Sequence, residues 1–279
     1  MSIAAAPIET GAGRLSKPVV RAPAPAQADL FDFKQVSVAF GSTTVLDKID
    51  LTIKRGEIVC IVGPSGCGKT TAMRVAAGLL SPTGGEVLFA GKAMRGPRRD
   101  VAIVFQDYGK ALLPWRTAAG NISLALEAAG TVRAKRAPRI AELLATVGLP
   151  HHADKYPSQM SGGMQQRLQI ARCLAQDPVA LMMDEPFGAL DAMTRQELQD
   201  ELLGLAGSAG ATVFFVTHDL EEAIYLGDRV IGLLPHPGRI GITLPIALPR
   251  PREQVATRES PEFLRLRREL YSFIKGAER

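Results

Sequence analysis

Nothing in this sequence approaches the roughly 18 consecutive apolar residues that a membrane-spanning helix needs. The longest apolar runs, such as Val179 to Met183 and Thr212 to Val216, have only the length of a strand. Residues 1–29 lack the apolar core of a secretory signal and are rich in Ala and Pro, so they are expected to form a disordered tail. These absences predict a protein that stays in the cytoplasm and touches a membrane only peripherally. Cysteine is scarce as well. Cys60, Cys67 and Cys173 are odd in number and lack metal-ligand spacing, which argues against a disulfide framework. His151-His152 has no nearby cysteine or second histidine pair and reads as a solvated loop. The net charge of +5 comes from scattered residues with small clusters at Arg95–Arg99, Arg133–Arg139 and Arg265–Arg268. No basic stripe is interleaved with aromatics, so a solvated surface is expected rather than a nucleic-acid partner. Internal repeats are absent.

The 46% apolar content predicts an ordinary globular core. Order is expected from about Leu30. Phe33, Val36, Val38 and Phe40 open a β region, Gly41-Ser42 turns it, and Leu46 to Ile53 continues it. Glu57 to Val62 forms a buried strand, and Thr70 to Leu80 a helix. Val101 to Phe105 is a short strand ending at Gln106. From residue 107 to about 157 β signals fade, and Ile140, Leu143, Leu144 and Val147 recur at helical spacing, which predicts a helical insertion. A helix over Gln165 to Ala175 opened by Ser161-Gly162-Gly163, strands at Val179–Met183 and Thr212–Thr217, and a helix over Arg195–Leu205 follow. This alternation predicts an α/β fold with a largely parallel sheet. Ser260-Pro261 makes a good helix start, with Phe263, Leu266, Leu270 and Phe273 on one face, expected to pack on the body.

The chemistry begins at Gly63-Pro64-Ser65-Gly66-Cys67-Gly68-Lys69-Thr70, a complete GxxxxGK[ST] phosphate loop set between a strand and a helix. Its backbone N–H groups and the following helix N-terminus favour phosphate. Lys69 adds a point charge for the β- and γ-phosphates, Thr70 offers a hydroxyl to Mg²⁺, and Thr71 lies beside it. Asp184 ends a buried strand, where a carboxylate can orient Mg²⁺ or its waters, and Glu185 is the natural general base for an attacking water. Strand ends of a parallel sheet converge on one crevice, so Gln106 and His218 are expected beside Glu185. Cys67, among N–H groups and next to Lys69, is either a thiol with lowered pKa or a small residue tolerated where only the backbone matters.

Between these stretches lies Ser161-Gly162-Gly163-Met164-Gln165-Gln166-Arg167. In this order the segments resemble the nucleotide-binding subunit of an ABC transporter over Leu30 to Leu234. The resemblance implies a P-loop NTPase (RecA-like) core with an antiparallel β subdomain and a helical insertion subdomain. It places the ATP-binding domain at 30–240 and a C-terminal extension with an amphipathic helix at 241–279. It further implies Phe40 stacking on adenine, Gln106 as the Q-loop residue and Mg²⁺ contact, Ser161, Gly162 and Gly163 as the signature, Asp191 in the D-loop and His218 as the switch histidine. Two such subunits pack head to tail, so that Ser161 and Gly163 of one grip the γ-phosphate held by Lys69 of the other. Phe40 stands where a tyrosine is frequent and Met164 where a glutamine is usual, and ATPase activity is expected to survive both.

Leu113-Pro114-Trp115-Arg116-Thr117, the Met-containing signature and Leu248-Pro249-Arg250-Pro251-Arg252 are similar to the nitrate/sulfonate/taurine importer group. The chain ends about where such subunits end, so the regulatory domain typical of maltose-type subunits is not expected. The implied partners are a second ATP-binding subunit, an integral membrane permease met through the Trp115 region and, indirectly, a periplasmic or lipoprotein solute-binding protein. The implied location is the cytoplasmic face of the inner membrane. The alternative is a soluble ABC-type ATPase acting on nucleic acid or ribosomes. Such proteins usually carry a second cassette, a long coiled coil or a zinc insertion, none of which the sequence contains.

Overall fold

The computed structural model describes residues 28–105, 111–188 and 190–278, and only the backbone of Leu205, Ser208 and Ala209. Most of the expected tail, residues 1–27, and Gln106 lie outside the described residues. Among the described residues ten strands form two sheets. The antiparallel sheet contains β1 (Asp29–Phe40), β2 (Thr43–Lys54), β4 (Gly84–Phe89) and β5 (Lys92–Ala93), in the order β2-β1-β4-β5. The second contains β3 (Ile58–Val62), β6 (Val101–Val104), β7 (Ala180–Asp184), β8 (Thr212–Val216), β9 (Arg229–Leu234) and β10 (Arg239–Pro245). Its order is β10-β9-β3-β8-β7-β6, parallel throughout except where β10 pairs antiparallel with β9.

The central strands are buried on both faces, as parallel strands covered on two sides must be. Ile58, Cys60 and Val62 of β3 point into one apolar cluster, and Val59 and Ile61 point into another. Val213 and Phe215 of β8 divide from Phe214 and Val216 in the same way. This is the two-residue side-chain period of a strand. One cluster joins the central sheet to the antiparallel sheet and α1 (Lys69–Ala76). The other takes in the helical insertion, with α2 (Ala118–Ala128) and α3 (Arg133–Thr146), and also α4 (Gly162–Leu174). Beyond these come α5 (Ala192–Ala209), α6 (Leu220–Leu226), α7 (Gln254–Glu259) and α8 (Pro261–Ala277).

Three helices differ in length from expectation. α1 stops at Ala76, short of Leu80, because Gly78 at φ +71 turns the chain against the Gly96 carbonyl. That close approach leaves no room for a Cβ. α4 begins at Gly162, three residues early, with Ser161 as its N-cap. α5 begins at Ala192 because the Asp191 side chain accepts the Thr194 N–H at 3.1 Å, and it ends at Gly210, φ +63.

β10 runs across residue 240 and ties the C-terminal segment into the sheet. α8 is capped by Ser260, whose hydroxyl accepts the Phe263 N–H at 3.3 Å. Its Phe263, Leu266 and Leu270 are fully buried, each contributing about 1.5–3 kcal/mol of transfer free energy. The helix packs on the body as its pattern predicts.

Candidate functional site

The carboxyl ends of β3, β7 and β8 meet at one edge of the sheet. The Glu185 N–H donates to the Val216 carbonyl at 2.8 Å, and the Thr217 N–H to the Ile61 carbonyl at 3.2 Å, which locks the three strand ends together. Gly63 to Gly68 leave β3 as a loop and enter α1. Gly63 has φ +155, and a Cβ there would lie 2.6 Å from Cys67 Sγ and 2.7 Å from the Leu233 carbonyl, so only glycine fits. Pro64 is half-buried, while Ser65 and Gly66 are exposed at the loop tip. Lys69 is buried, and its ammonium donates to the carbonyls of Gly63 at 2.7 Å and Pro64 at 3.0 Å. Thr71 is half-buried in the first turn of α1.

Thr70 Oγ1 donates to Asp184 Oδ1 at 3.1 Å, joining the phosphate loop to the end of β7. Burial raises the pKa of Asp184, the neighbouring Glu185 charge adds to the rise, and the Thr70 bond and the charges of Arg74 and Lys69 oppose it. A hydroxyl and a carboxylate this close are hard oxygen donors of the kind Mg²⁺ takes, so the residues present fit that ion. Glu185 follows with its backbone in the left-handed region, φ +45, and its Oε2 lies 3.1 Å from His218 Nδ1. The structure thus brings Thr70, Asp184, Glu185 and His218 to one edge, as expected. Phe40 ends β1 and is 55% exposed, open to a flat ligand.

The signature lies elsewhere. A cavity of about 300 Å³ is lined by Ser161, Gly162, Gly163, Asp191 and Thr194 among others, and none of residues 63–71 lines it. Ser161 caps α4, accepting the Met164 N–H at 3.3 Å, and Asp191 caps α5. Two helix N-termini therefore open on one cavity, an arrangement that favours an anion.

Burial raises the Cys67 pKa; the Lys69 charge and the backbone N–H groups of Lys69 and Cys67 act against this without reversing it. Its side chain is fully buried, so the activated-thiol reading is corrected: Cys67 is a small core residue beneath the loop. His151 is exposed, and no group of three or more His, Cys, Asp or Glu among the described residues could hold a metal ion.

Other positioning residues carry no local sequence signal. Asn121 is fully buried and braces the loop before α2: its Oδ1 accepts from the Leu113 N–H at 2.9 Å. Its Nδ2 donates to the carbonyls of Leu113, Arg116 and Thr117 at 3.1–3.2 Å. Trp115 stands out from this braced loop at 71% exposure, while Leu112 is core. On the open side of edge strand β6, α4 supplies the missing partners. Cys173 Sγ donates to the Ile103 carbonyl at 3.3 Å. With its amide turned so that donor meets acceptor, Gln169 donates to the Phe105 carbonyl at 3.3 Å and accepts its N–H at 2.8 Å.

A phosphate loop between strand and helix, with carboxylates on the adjoining strand end, defines a P-loop nucleoside triphosphatase with a RecA-like core. A family model described as ABC transporter matches residues 46–188. The nitrate import ATP-binding protein NrtD of Synechococcus elongatus is 42% identical over 237 residues, covering 84% of this chain and 86% of that protein. The bicarbonate transport ATP-binding protein CmpD of Synechocystis sp. is 42% identical over 245 residues, 86% of each. A solved structure of the cassette MJ0796, dimeric and in a post-hydrolysis state bound to ADP and Pi, matches with TM-score 0.68 at 33% identity, covering 78% of this chain and 99% of that one. The chain belongs to the ABC transporter family as an ATP-binding subunit, an ATPase coupled to transport. Its likeness to nitrate and bicarbonate subunits supports the nitrate/sulfonate/taurine group. Among the described residues no helix is long and apolar enough to cross a membrane.

Proposed function

We propose that this chain is the ATP-hydrolysing subunit of an importer, energising uptake of a small anion or sulfonate-like solute through a separate permease. The carrying observation is the Glu185–His218 pair, 3.1 Å apart, beside the Thr70–Asp184 pair at the phosphate loop. In this reading Gly63 to Gly68 cradle the phosphates with backbone N–H groups, and Lys69 leaves its loop carbonyls to meet the β- and γ-phosphates. Thr70 and Asp184, with Gln106, would hold Mg²⁺, which would offset phosphate charge. Glu185 accepts a hydrogen bond from the attacking water and takes its proton as the water oxygen bonds to the γ-phosphorus and the bond from that phosphorus to ADP breaks. His218 holds the Glu185 carboxylate toward that water, and Phe40 stacks on adenine.

The separation of the signature cavity from the phosphate loop supports a second subunit, packed head to tail as a homodimer. Ser161, Gly162, Gly163 and Asp191 of one copy would then face the phosphates of the other. Trp115, exposed on its braced loop, is the proposed permease contact. The subunit would sit peripherally on the cytoplasmic face of the inner membrane, served indirectly by a periplasmic or lipoprotein solute-binding protein and with no nucleic-acid partner.

Replacing Glu185 tests the site. Glu185→Gln keeps the size and the hydrogen-bonding oxygen but removes the base. ATP binding should persist while kcat falls about 10²- to 10⁴-fold. With hydrolysis blocked, ATP should drive a dimer detectable by size exclusion with light scattering. Wild-type turnover in the variant would remove Glu185 from the mechanism.

A further inference from the structure

The C-terminal extension reaches the catalytic edge through half-buried Arg258 and the buried side chains of Gln199, Glu222 and Thr217. Arg258 on α7 lies over the Tyr225 ring, 4.9 Å from its centroid, and donates to Gln199 Oε1 at 3.0 Å and to Glu221 Oε2 at 3.1 Å. Gln199, on α5, is 1% exposed, and its Nε2 donates to Glu222 Oε1 at 3.1 Å. Glu222, on α6, is 4% exposed and also accepts the Thr217 hydroxyl. That hydroxyl oxygen in turn accepts the Asp219 N–H at 3.0 Å. His218 sits between the two residues this last bond joins, and its Nδ1 faces Glu185.

The polarity of this line is fixed. With Gln199 Oε1 taken by Arg258, the amide must turn its N–H toward Glu222. Thr217 has one hydroxyl proton. Its oxygen is used as acceptor for Asp219, so the proton goes to Glu222. Burial alone would favour a neutral carboxyl, and it holds the Glu222 pKa up at about 6 despite both donors. The two donors keep it an acceptor, and the acceptor keeps the Thr217 hydroxyl in place.

We propose that Arg258, Gln199, Glu222 and Thr217 are positioning residues for His218, so that the C-terminal extension sets the aim of the switch histidine. The proposal rests on the reading of His218 as a participant in hydrolysis. It assigns the extension a part in turnover beyond its packing role.

Steady-state ATPase of the full-length chain tests it, with kcat and KM for Mg-ATP separated and melting temperature recorded. Thr217→Val keeps shape and loses the hydroxyl; Arg258→Met keeps an unbranched side chain and loses the guanidinium, with its bond to Gln199 and its place over Tyr225. Each should lower kcat about tenfold, the effect of one hydrogen bond. KM should stay within about twofold, because the line touches no phosphate-loop residue. Thr217→Ser should restore kcat. His218→Ala is the control. If it loses activity while both Thr217→Val and Arg258→Met turn over like wild type, the positioning line is refuted and the catalytic reading stands. Failure of Thr217→Ser to restore kcat, or a rise in KM matching the fall in kcat, also overturns the proposal. If His218→Ala keeps wild-type kcat, the catalytic reading of His218 falls and takes this proposal with it.

Discussion

Glu185 is held in a conformation that most L-residues avoid. Its φ of +45 costs about 1 kcal/mol or more. That cost is offset locally, since its N–H reaches the Val216 carbonyl at 2.8 Å. The kink aims Glu185 along the sheet edge toward His218, while Asp184 stays on Thr70. Cys67 shows the opposite case, a reactive side chain made inert by its place. Fully buried, with its pKa raised, it should resist maleimide at pH 7 with or without Mg-ATP, measured by intact mass. Rapid labelling that nucleotide blocks would restore the activated-thiol reading. Lys69, Thr70, Asp184 and Glu185 were legible because phosphate and water chemistry tie those residue types to short, fixed spacings. Glu222 and Gln199 were not. The partners of Gln199 lie 23, 55 and 59 residues away, and nothing local separates a buried relay glutamine from a solvated one.

α4 carries the signature at its N-terminus and lies along the unpaired side of β6. Burial pushes the Cys173 thiol up to about 12, so it remains a proton donor toward the Ile103 carbonyl. Gln169 clamps both backbone groups of Phe105, the residue before Gln106. Gln169→Leu should therefore destabilise the fold by about 1 kcal/mol in urea denaturation. It should also speed amide exchange at Phe105 without matching change at Ile61, deep in the central sheet. Equal exchange at Phe105 in both proteins would show that the clamp contributes nothing. Strand positions were readable from runs such as Ile58–Val62, which alternate between two cores. Helix ends were less so. The stop of α1 depends on Gly78 meeting Gly96, a contact between separate segments, and the early start of α5 on a cap formed by Asp191.

Taken as a whole, the molecule divides its tasks between faces. The strand ends hold the phosphate loop and carboxylates, the signature cavity lies apart, and Trp115 projects from a loop that Asn121 fixes at three carbonyls. Trp115→Ala should fold normally, changing stability by about 0.5 kcal/mol or less, as exposed substitutions do. The same variant should fail to co-purify with the permease and should lose solute uptake. A large drop in melting temperature would return Trp115 to a packing role, and normal co-purification with normal uptake would remove it from the interface. The division into sheet, insertion and C-terminal helix was visible in the periodicity. The bracing by Asn121 was not, because a buried asparagine and a solvated one look alike in sequence. The distance between the two half-sites within one chain also bears on cellular economy. Under the head-to-tail arrangement, encounters between unassembled subunits grow with the square of their concentration. Scarcity alone would then keep stray copies from draining ATP, and the permease would act as the meeting place that lets consumption begin where it is useful.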